Sequence, residues 1–286
     1  MANQSRQPAL LVTGAGGRVG RLLRRIWTGP RGAGLPPAAF LSRHPGADIT
    51  WSPGLPMPDL PACDTVVSLW GTTRGTPEAL AENSRLAREG RRLARACGAR
   101  RVLHFSSAAV YGPGTDLSED TPPSPLSGYG AAKRDMEHDV AAFDDRSIAH
   151  CCLRVANVLG ADSLTPNLCP SNDPVTLDRF EDGRGPLRSY VAPGDLARVI
   201  AALADLPPDA LPPVLNIASG DPVEMADLAG AAGRPVRWRH APPEAIQAVT
   251  LSTGRLTRLL PGLETRKTAA AMIADWQDLE AADDAR

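Results

Sequence analysis

The stretch "ALLVTGAGGRVGRLLRRIW" constrains the fold of this chain more than any other. A short apolar run, Ala9–Thr13, meets a cluster of glycines, and a helical pattern follows at once. Gly14, Gly17 and Gly20 stand at GxxGxxG spacing between the predicted strand and the predicted helix. Gly14 permits a tight turn, Gly17 lets the backbone approach a pyrophosphate, and Gly20 lets the helix pack closely on the strand. The helix opens with Arg18 and Val19, whose unspent N–H groups and the positive end of the dipole suit a phosphate. A glycine triplet alone is only a turn, but in a strand–turn–helix context it predicts a dinucleotide site.

The rest of the chain continues the alternation. "AAFLSR" (Ala38–Arg43), "DTVVSLWG" (Asp64–Gly71), "RRVLHFSS" (Arg100–Ser107), "HCCLRVANVLG" (His150–Gly160) and "PVLNIASG" (Pro213–Gly220) read as strands. Residues 78–96 and 128–143 read as helices, the first with Leu86, Gly90, Leu93 and Cys97 on one face. Strands alternating with helices predict an α/β protein with a Rossmann-type, doubly wound parallel sheet. The proline-rich "SPGLPMPDLP" cannot hold a long helix, so the crossover there is short or irregular. The expected organisation is a dinucleotide-binding domain over residues 1–162, with later contributions from about 187–220. Residues 163–186 and 221–286 are expected to form a small substrate-binding region.

The end of the second strand selects between nicotinamide cofactors. NAD binders place an acid there for the ribose 2′-hydroxyl. This chain has Ser42 and Arg43 instead, which would accept a 2′-phosphate, so NADP is expected ahead of NAD. The chain carries two lysines, Lys133 and Lys267, against 29 arginines, and Lys133 falls four residues after one of only three tyrosines. On a helix Tyr129 and Lys133 share a face. A phenol with a pKa of about 10 is a poor base, and a neighbouring ammonium favours its phenolate. Such a pair removes a proton from a substrate hydroxyl while hydride leaves the carbon. Ser106 and Ser107, at the carboxyl end of a predicted parallel strand, are placed to polarise the same oxygen.

The net charge of -1 carries no general attraction to nucleic acid or to an anionic membrane. The arginines at 85, 88, 91, 92, 95, 100 and 101 are read as a solvated or dimer-facing surface, because no aromatic residues interleave with them. Five cysteines without a CxxC fit neither a disulfide framework nor a zinc site, and five histidines show no metal-ligand spacing, so no metal is expected. The first residues hold no apolar signal core and no stretch approaches a membrane span, which points to the cytoplasm.

"TGAGGRVG", "FSSAAVYG", "YGAAK" and "LRVANVLG", in this order and spacing, resemble the extended short-chain dehydrogenase/reductase family. The resemblance returns in "GPLRSYVAPGDLARVI" and "LNIASGDPVEMADLA" and fades after about residue 235. It implies a Rossmann domain with a smaller substrate domain, and NAD(P)-dependent chemistry on sugars, mostly nucleotide sugars. It implies Ser107, three residues before Val-Tyr-Gly, as the catalytic serine beside Tyr129 and Lys133. It also implies that Leu69, Trp70 and Gly71 line the cofactor, that Asn83 supports the site, and that Ala108, Asn157 and Arg188 face the substrate. Helices at about 78–96 and 130–143 correspond to the family's dimer interface.

The departures narrow the chemistry. The family's dehydratases carry Thr-Asp-Glu where this chain has Ser107-Ala108-Ala109, and alanine supplies neither acid nor base for water elimination. "APPEAIQAVTLSTGRL" lacks the Arg-x-Gly-Asp element that grips nucleotide phosphates in the family. The leading expectation is an epimerase or oxidoreductase working by hydride transfer at a secondary hydroxyl or ketone of a sugar-like substrate. The alternatives are a reductase or dehydrogenase of a smaller, non-nucleotide carbonyl compound, and a non-catalytic NADP-sensing protein on the same fold.

Overall fold

The computed structural model describes residues 9–171 and 173–284. Met1–Pro8, where no apolar leader is read, lie outside the described residues. The first half of the chain runs β1 (Leu10–Val12), α1 (Arg18–Thr28), β2 (Ala38–Ser42), β3 (Ile49–Thr50), β4 (Thr65–Ser68), α2 (Pro77–Cys97), β5 (Arg101–Ser107), β6 (Gly114–Leu117), α3 (Gly128–Ala141) and β7 (Ala149–Val155). The second half runs β8 (Asn157–Val158), α4 (Thr165–Leu168), β9 (Val175–Arg179), β10 (Leu187–Arg188), β11 (Tyr190–Val191), α5 (Pro193–Asp205) and β12 (Val214–Ile217). It ends with β13 (Val223–Glu224), α6 (Met225–Ala231), β14 (Val236–His240), β15 (Ala248–Leu251), α7 (Gly254–Leu259) and α8 (Ala269–Asp284).

Seven strands form a parallel sheet in the order β12-β7-β5-β4-β1-β2-β3. Its central strands read as continuous apolar runs because helices cover both faces. The alternation along β1 assigns those faces. Leu10 and Val12 pack with Leu22, Leu23 and Ile26 of α1 and with Leu196, Val199 and Ile200 of α5. Leu11 points the other way, into a cluster with Val66 and with Leu93 and Ala94 of α2. The strand order reverses between β1 and β4, which opens a crevice at their carboxyl ends, where ligands bind in such sheets.

Helix α2 is bounded by local signals. Thr76 caps it by accepting from the Ala79 N–H, Pro77 opens it, and Gly98 ends it at φ 74°. Gly90 is needed at the crossing with β4: a Cβ there would lie 2.8 Å from Ser68 Oγ. The proline-rich stretch forms no helix, and only the two-residue β3 is added at that edge of the sheet.

Two expectations need correction. The single strand expected over His150–Gly160 is two: after β7 the chain changes partner at Ala156, whose N–H donates to Ile217, while that of Asn157 donates to Ser189. β8 then pairs with β11 outside the main sheet. Arg101, grouped with the solvated arginines, is buried in β5, and its guanidinium is spent on the Leu206 carbonyl. The arginines of α2 are largely compensated: Arg88 pairs with Asp139, Arg91 and Arg95 with Asp145, and Arg92 with Glu89.

Segments beyond β7, joined by the earlier β6, build a second layer made of the sheet β13-β10-β15-β6 and the parallel ribbon β14-β9. The C-terminal segment belongs to both layers. Met272, Ile273 and Trp276 of α8 join the core of the second layer, whereas Leu256, Leu260 and Leu279 join that of the main sheet. Fully buried Asp195 and Asp275 clamp the two together through Arg31, Arg198 and Arg266. Among the described residues no helix is long and apolar enough to cross a membrane.

Candidate active site

The glycine turn forms as its spacing requires. Gly14 adopts φ +71°, and a Cβ there would lie 2.9 Å from the Trp70 nitrogen. A Cβ on Gly20 would overlap the Gly14 carbonyl oxygen, so only glycine lets α1 pass this close. Gly17 begins α1 without a side-chain cap, and its first turn holds no acid. The helix start therefore presents its N–H groups and dipole to the crevice, a cradle that fits a dinucleotide pyrophosphate. Val19 packs beneath it, and exposed Arg18 donates to the Asp162 carbonyl at 3.3 Å.

At the end of β2, Ser42 is buried and accepts from the His44 N–H at 3.0 Å. A Cβ on Gly16 would lie 3.2 Å from its Oγ, so Ser42 stands directly under the turn. Arg43 is exposed and makes no ion pair among the described residues. The nearby acid, Asp48, accepts from the Phe40 N–H at 2.8 Å. Across the crevice, Leu69 and Trp70 bring their backbone against Gly14. The Trp70 indole is directed elsewhere: its N–H donates to Ser68 Oγ and the Leu86 carbonyl, and its ring packs 6.1 Å from that of Trp51. A Cβ on Gly71 would lie 2.8 Å from Asn83 Oδ1 and 3.1 Å from Lys133 Nζ. Asn83, buried in α2, accepts from the Thr72 N–H and donates to the Thr72 carbonyl, pinning the loop after β4.

β5 and α3 bring in the remaining groups. Ser127 caps α3 by accepting from the Gly130 N–H at 3.0 Å, which places Tyr129 in the first turn and Lys133 one turn on. Gly130 is again a matter of space, since a Cβ there would overlap the Ala109 carbonyl oxygen. α3 can therefore approach the short turn that carries Ser107 and Ala108 at the end of β5. Ser107 Oγ accepts from the Ala109 N–H at 3.1 Å, which leaves its O–H free to donate. Ser106 is occupied: its hydroxyl donates to buried Glu137, which pairs with Arg154. The two serines are thus told apart by their partners.

The electrostatics differ from the expectation that the ammonium lowers the phenol's pKa. Burial pushes the Tyr129 phenol up, and the opposing influence is its hydrogen bond with Ser107. Lys133 Nζ lies 6.0 Å from the Tyr129 ring centroid and donates to the Phe105 carbonyl at 2.6 Å. Burial pulls the lysine down to about 8, with Cys152 and Glu137 opposing it.

The other two expected residues lie outside the main sheet. Arg188, on β10, lines a cavity of about 240 Å³ with Ser163, Asn167, Thr176, Asp178 and Ile246. Its Nη1 donates to the Leu187 and Gln247 carbonyls and its Nη2 to Ile246, and burial pulls its pKa down. Three of its five N–H donors are spent, so two are left for a ligand. The stretch without Arg-x-Gly-Asp therefore reaches the cavity through the backbone carbonyls of Ile246 and Gln247. Asn157, half-buried on β8, is not among the cavity-lining residues. Sequence reasoning missed Asn167, Thr176, Asp178 and Met225. Their segments are distant in sequence, and only the alternation of "VTLDR" hinted that Thr176 and Asp178 share a face.

A parallel sheet whose reversal point carries a glycine turn, with serine, tyrosine and lysine beside it, defines a Rossmann-type protein of the dehydrogenase class. The sequence pattern of the NAD-dependent epimerase/dehydratase family matches residues 59–218, and the chain belongs to that family. No curated protein sequence is a significant match. Among solved structures, MoeE5 in complex with UDP-glucose and NAD is similar at TM-score 0.73 and 22% identity, covering 96% of this chain and 99% of that one. UDP-glucose-4-epimerase from Stenotrophomonas maltophila, with bound NAD and formylated UDP-arabinopyranose, is similar at TM-score 0.73 and 17% identity, covering 98% and 100%. The NAD-dependent NDP-hexosamine 5,6-dehydratase TunA is similar at TM-score 0.71 and 23% identity, covering 96% and 98%. At these identities the likeness establishes a shared fold.

Proposed function

We propose that the protein transfers hydride, with NAD(P), at a secondary hydroxyl or ketone of a sugar-like substrate, as an epimerase or oxidoreductase, and that its substrate is a nucleotide sugar. The observation that carries this reading is the convergence of Ser107, Tyr129 and Lys133 beside the glycine turn. A nicotinamide dinucleotide, when bound, would supply the hydride chemistry. Gly14, Gly17, Arg18, Val19 and Gly20 would hold its pyrophosphate, and the Leu69–Gly71 segment would flank it. Tyr129 takes the proton from the substrate hydroxyl, or returns it to the developing alkoxide in the other direction. Ser107 donates to the same oxygen, and Lys133 is the buried cation behind the phenol. Asn83 holds the loop after β4 in place. An epimerase lets the keto intermediate turn and be reduced again, whereas a net reductase releases it. Ala108 and Ala109 offer no acid or base for elimination, which argues against dehydration.

Residues 163–186 and 221–286 are read as the substrate-binding region, because they supply most of the cavity wall. The similar folds of MoeE5 and the Stenotrophomonas epimerase hold a UDP-sugar and NAD. Arg188, and Asn157 nearby, are assigned to the diphosphate and sugar of this chain's substrate. Ser42 and unpaired Arg43 support NADP over NAD, and a KM for NADH ten times lower than that for NADPH would overturn this choice. A homodimer through α2 and α3 and a reducing, cytoplasmic setting complete the reading. A smaller carbonyl substrate is the second reading, favoured by the three donors Arg188 spends on backbone carbonyls.

The test is turnover of a panel of UDP- and dTDP-sugars with NAD(H) and NADP(H), comparing Tyr129→Phe with the parent. General acid–base loss costs about 10²–10⁴-fold in kcat. A Tyr129→Phe enzyme with undiminished kcat on a substrate the parent turns over would overturn the assignment.

A further inference from the structure

Lys133 is buried, and the groups its ammonium is bonded to, the Phe105 carbonyl and the Met136 sulfur, are both uncharged. A buried cation without a counter-charge is costly and gives up its proton instead. The elements packed on α3 limit what can supply that charge. β5 offers His104, whose imidazole burial and nearby cations hold well below its ordinary pKa. β7 offers Arg154, a second cation, and Cys152, whose thiol burial pushes well above its ordinary value. The loop after β4 and α2 bring up Gly71 and Asn83, both neutral, while Glu89 of α2 is spent on Arg92 and Arg88 on Asp139. Tyr129, one turn before Lys133, has its phenol pushed up by burial. Glu137 stands one turn after Lys133, on the same face of α3, and is buried as well. Its carboxylate accepts from the Ser106 hydroxyl and from Nε and Nη2 of Arg154, which lies opposite Ser106 in the β5–β7 register. Lys133 and Glu137 are thus fixed to consecutive residues of β5, Phe105 and Ser106, directly before Ser107.

We infer that Glu137 is the counter-charge that keeps Lys133 an ammonium, and so a positioning residue that acts through it on the Tyr129 phenol. That action on Tyr129 rests on the hydride-transfer reading above, whereas the charge balance does not. Burial pulls the lysine toward its neutral form, and a carboxylate one helical turn away opposes it. Ser106 and Arg154 fix where the carboxylate sits. Arg154 shares its charge, so removing both side chains together is a milder change than removing Glu137 alone.

The experiment follows the pH titration of the full chain by NMR, with its lysines isotope-labelled at Cε. The chain has two lysines, and Lys267→Arg removes the exposed one, so a single signal reports Lys133. In the parent that signal is expected to titrate at about 8. Glu137→Gln lowers the midpoint by about one pH unit. Glu137→Gln/Arg154→Met loses both charges, leaves Tyr111 bonded to the Ser118 carbonyl and Asn216, and is the variant to use where the single one does not fold. It lowers the midpoint by about half a unit, because a repelling guanidinium leaves with the carboxylate. Glu137→Asp keeps the charge and holds the midpoint within about 0.3 of the parent's. A merely structural role moves stability and leaves the midpoint where it was. For a substrate that the parent turns over, the alkaline loss of kcat moves to lower pH with the midpoint. A midpoint within about 0.2 of the parent's in both Gln variants overturns the counter-charge and leaves Ser107, Tyr129 and Lys133 as assigned. A lowered midpoint in a protein whose parent turns over nothing in the sugar panel supports the counter-charge and overturns its action on catalysis.

Discussion

Replacing Lys133 by methionine tests how the site maintains a buried charge. Lys133 is 3% exposed, and the Phe105 carbonyl and the Met136 sulfur are the groups its ammonium is bonded to. Burial lowers its pKa from 10.5 to about 8, a difference worth roughly 3 kcal/mol at about 1.36 kcal/mol per pKa unit. At pH 7 the lysine is charged in both states, so the folded protein bears that cost in full. Between pH 8 and 10.5 the unfolded chain binds the extra proton, so stability rises with pH across that window. Methionine has a similar shape and no proton to lose, and its stability carries no such dependence from this position. The stability of the parent relative to Lys133→Met should therefore rise by about 2 kcal/mol between pH 7.0 and 9.5. Urea unfolding followed by circular dichroism at the two pH values measures it, and groups common to both proteins cancel. The variant should be at least as stable as the parent at pH 7 yet inactive. A difference that stays constant within about 0.5 kcal/mol would refute a buried, destabilising ammonium at this position.

Three further outcomes follow from the same site. Ser106→Ala removes a donor to buried Glu137 and is expected to cost about 1–2 kcal/mol of stability by urea unfolding, with kcat reduced less than tenfold. Ser107→Ala reverses that pattern, lowering kcat by about 10²–10³-fold with stability changed by less than about 1 kcal/mol. Gly130→Ala drives a methyl into the Ala109 carbonyl and pushes α3 away from Ser107, so kcat falls while the Kd for NADH, set at α1, is held. Equal loss of NADH affinity in that variant would show that the whole sheet, and not α3 alone, had moved.

The local sequence determined much of the first half of the molecule. Gly14 takes a positive φ and Gly20 has no room for a side chain beside the Gly14 carbonyl, and both requirements are set within the turn itself. The apolar runs of β1, β4 and β5 and the caps of α2 are likewise short-range features. Helical periodicity put Tyr129 and Lys133 on one face without any knowledge of the sheet.

Tertiary structure decided what those residues are like chemically. The Tyr129 phenol is pushed up by burial and Lys133 is pulled down by it, both through neighbours remote in sequence. Ser106 and Ser107 are adjacent and alike in sequence. Glu137 and Arg154, brought in by α3 and β7, occupy the first and leave the second to the Tyr129 phenol. The cavity wall was the least legible part, because Ser163, Thr176, Arg188, Met225 and Ile246 meet only when short strands from separate segments pair. A turn is fixed by the atoms of its own few residues, whereas a pKa or a pocket is a sum over whatever the whole chain packs around it.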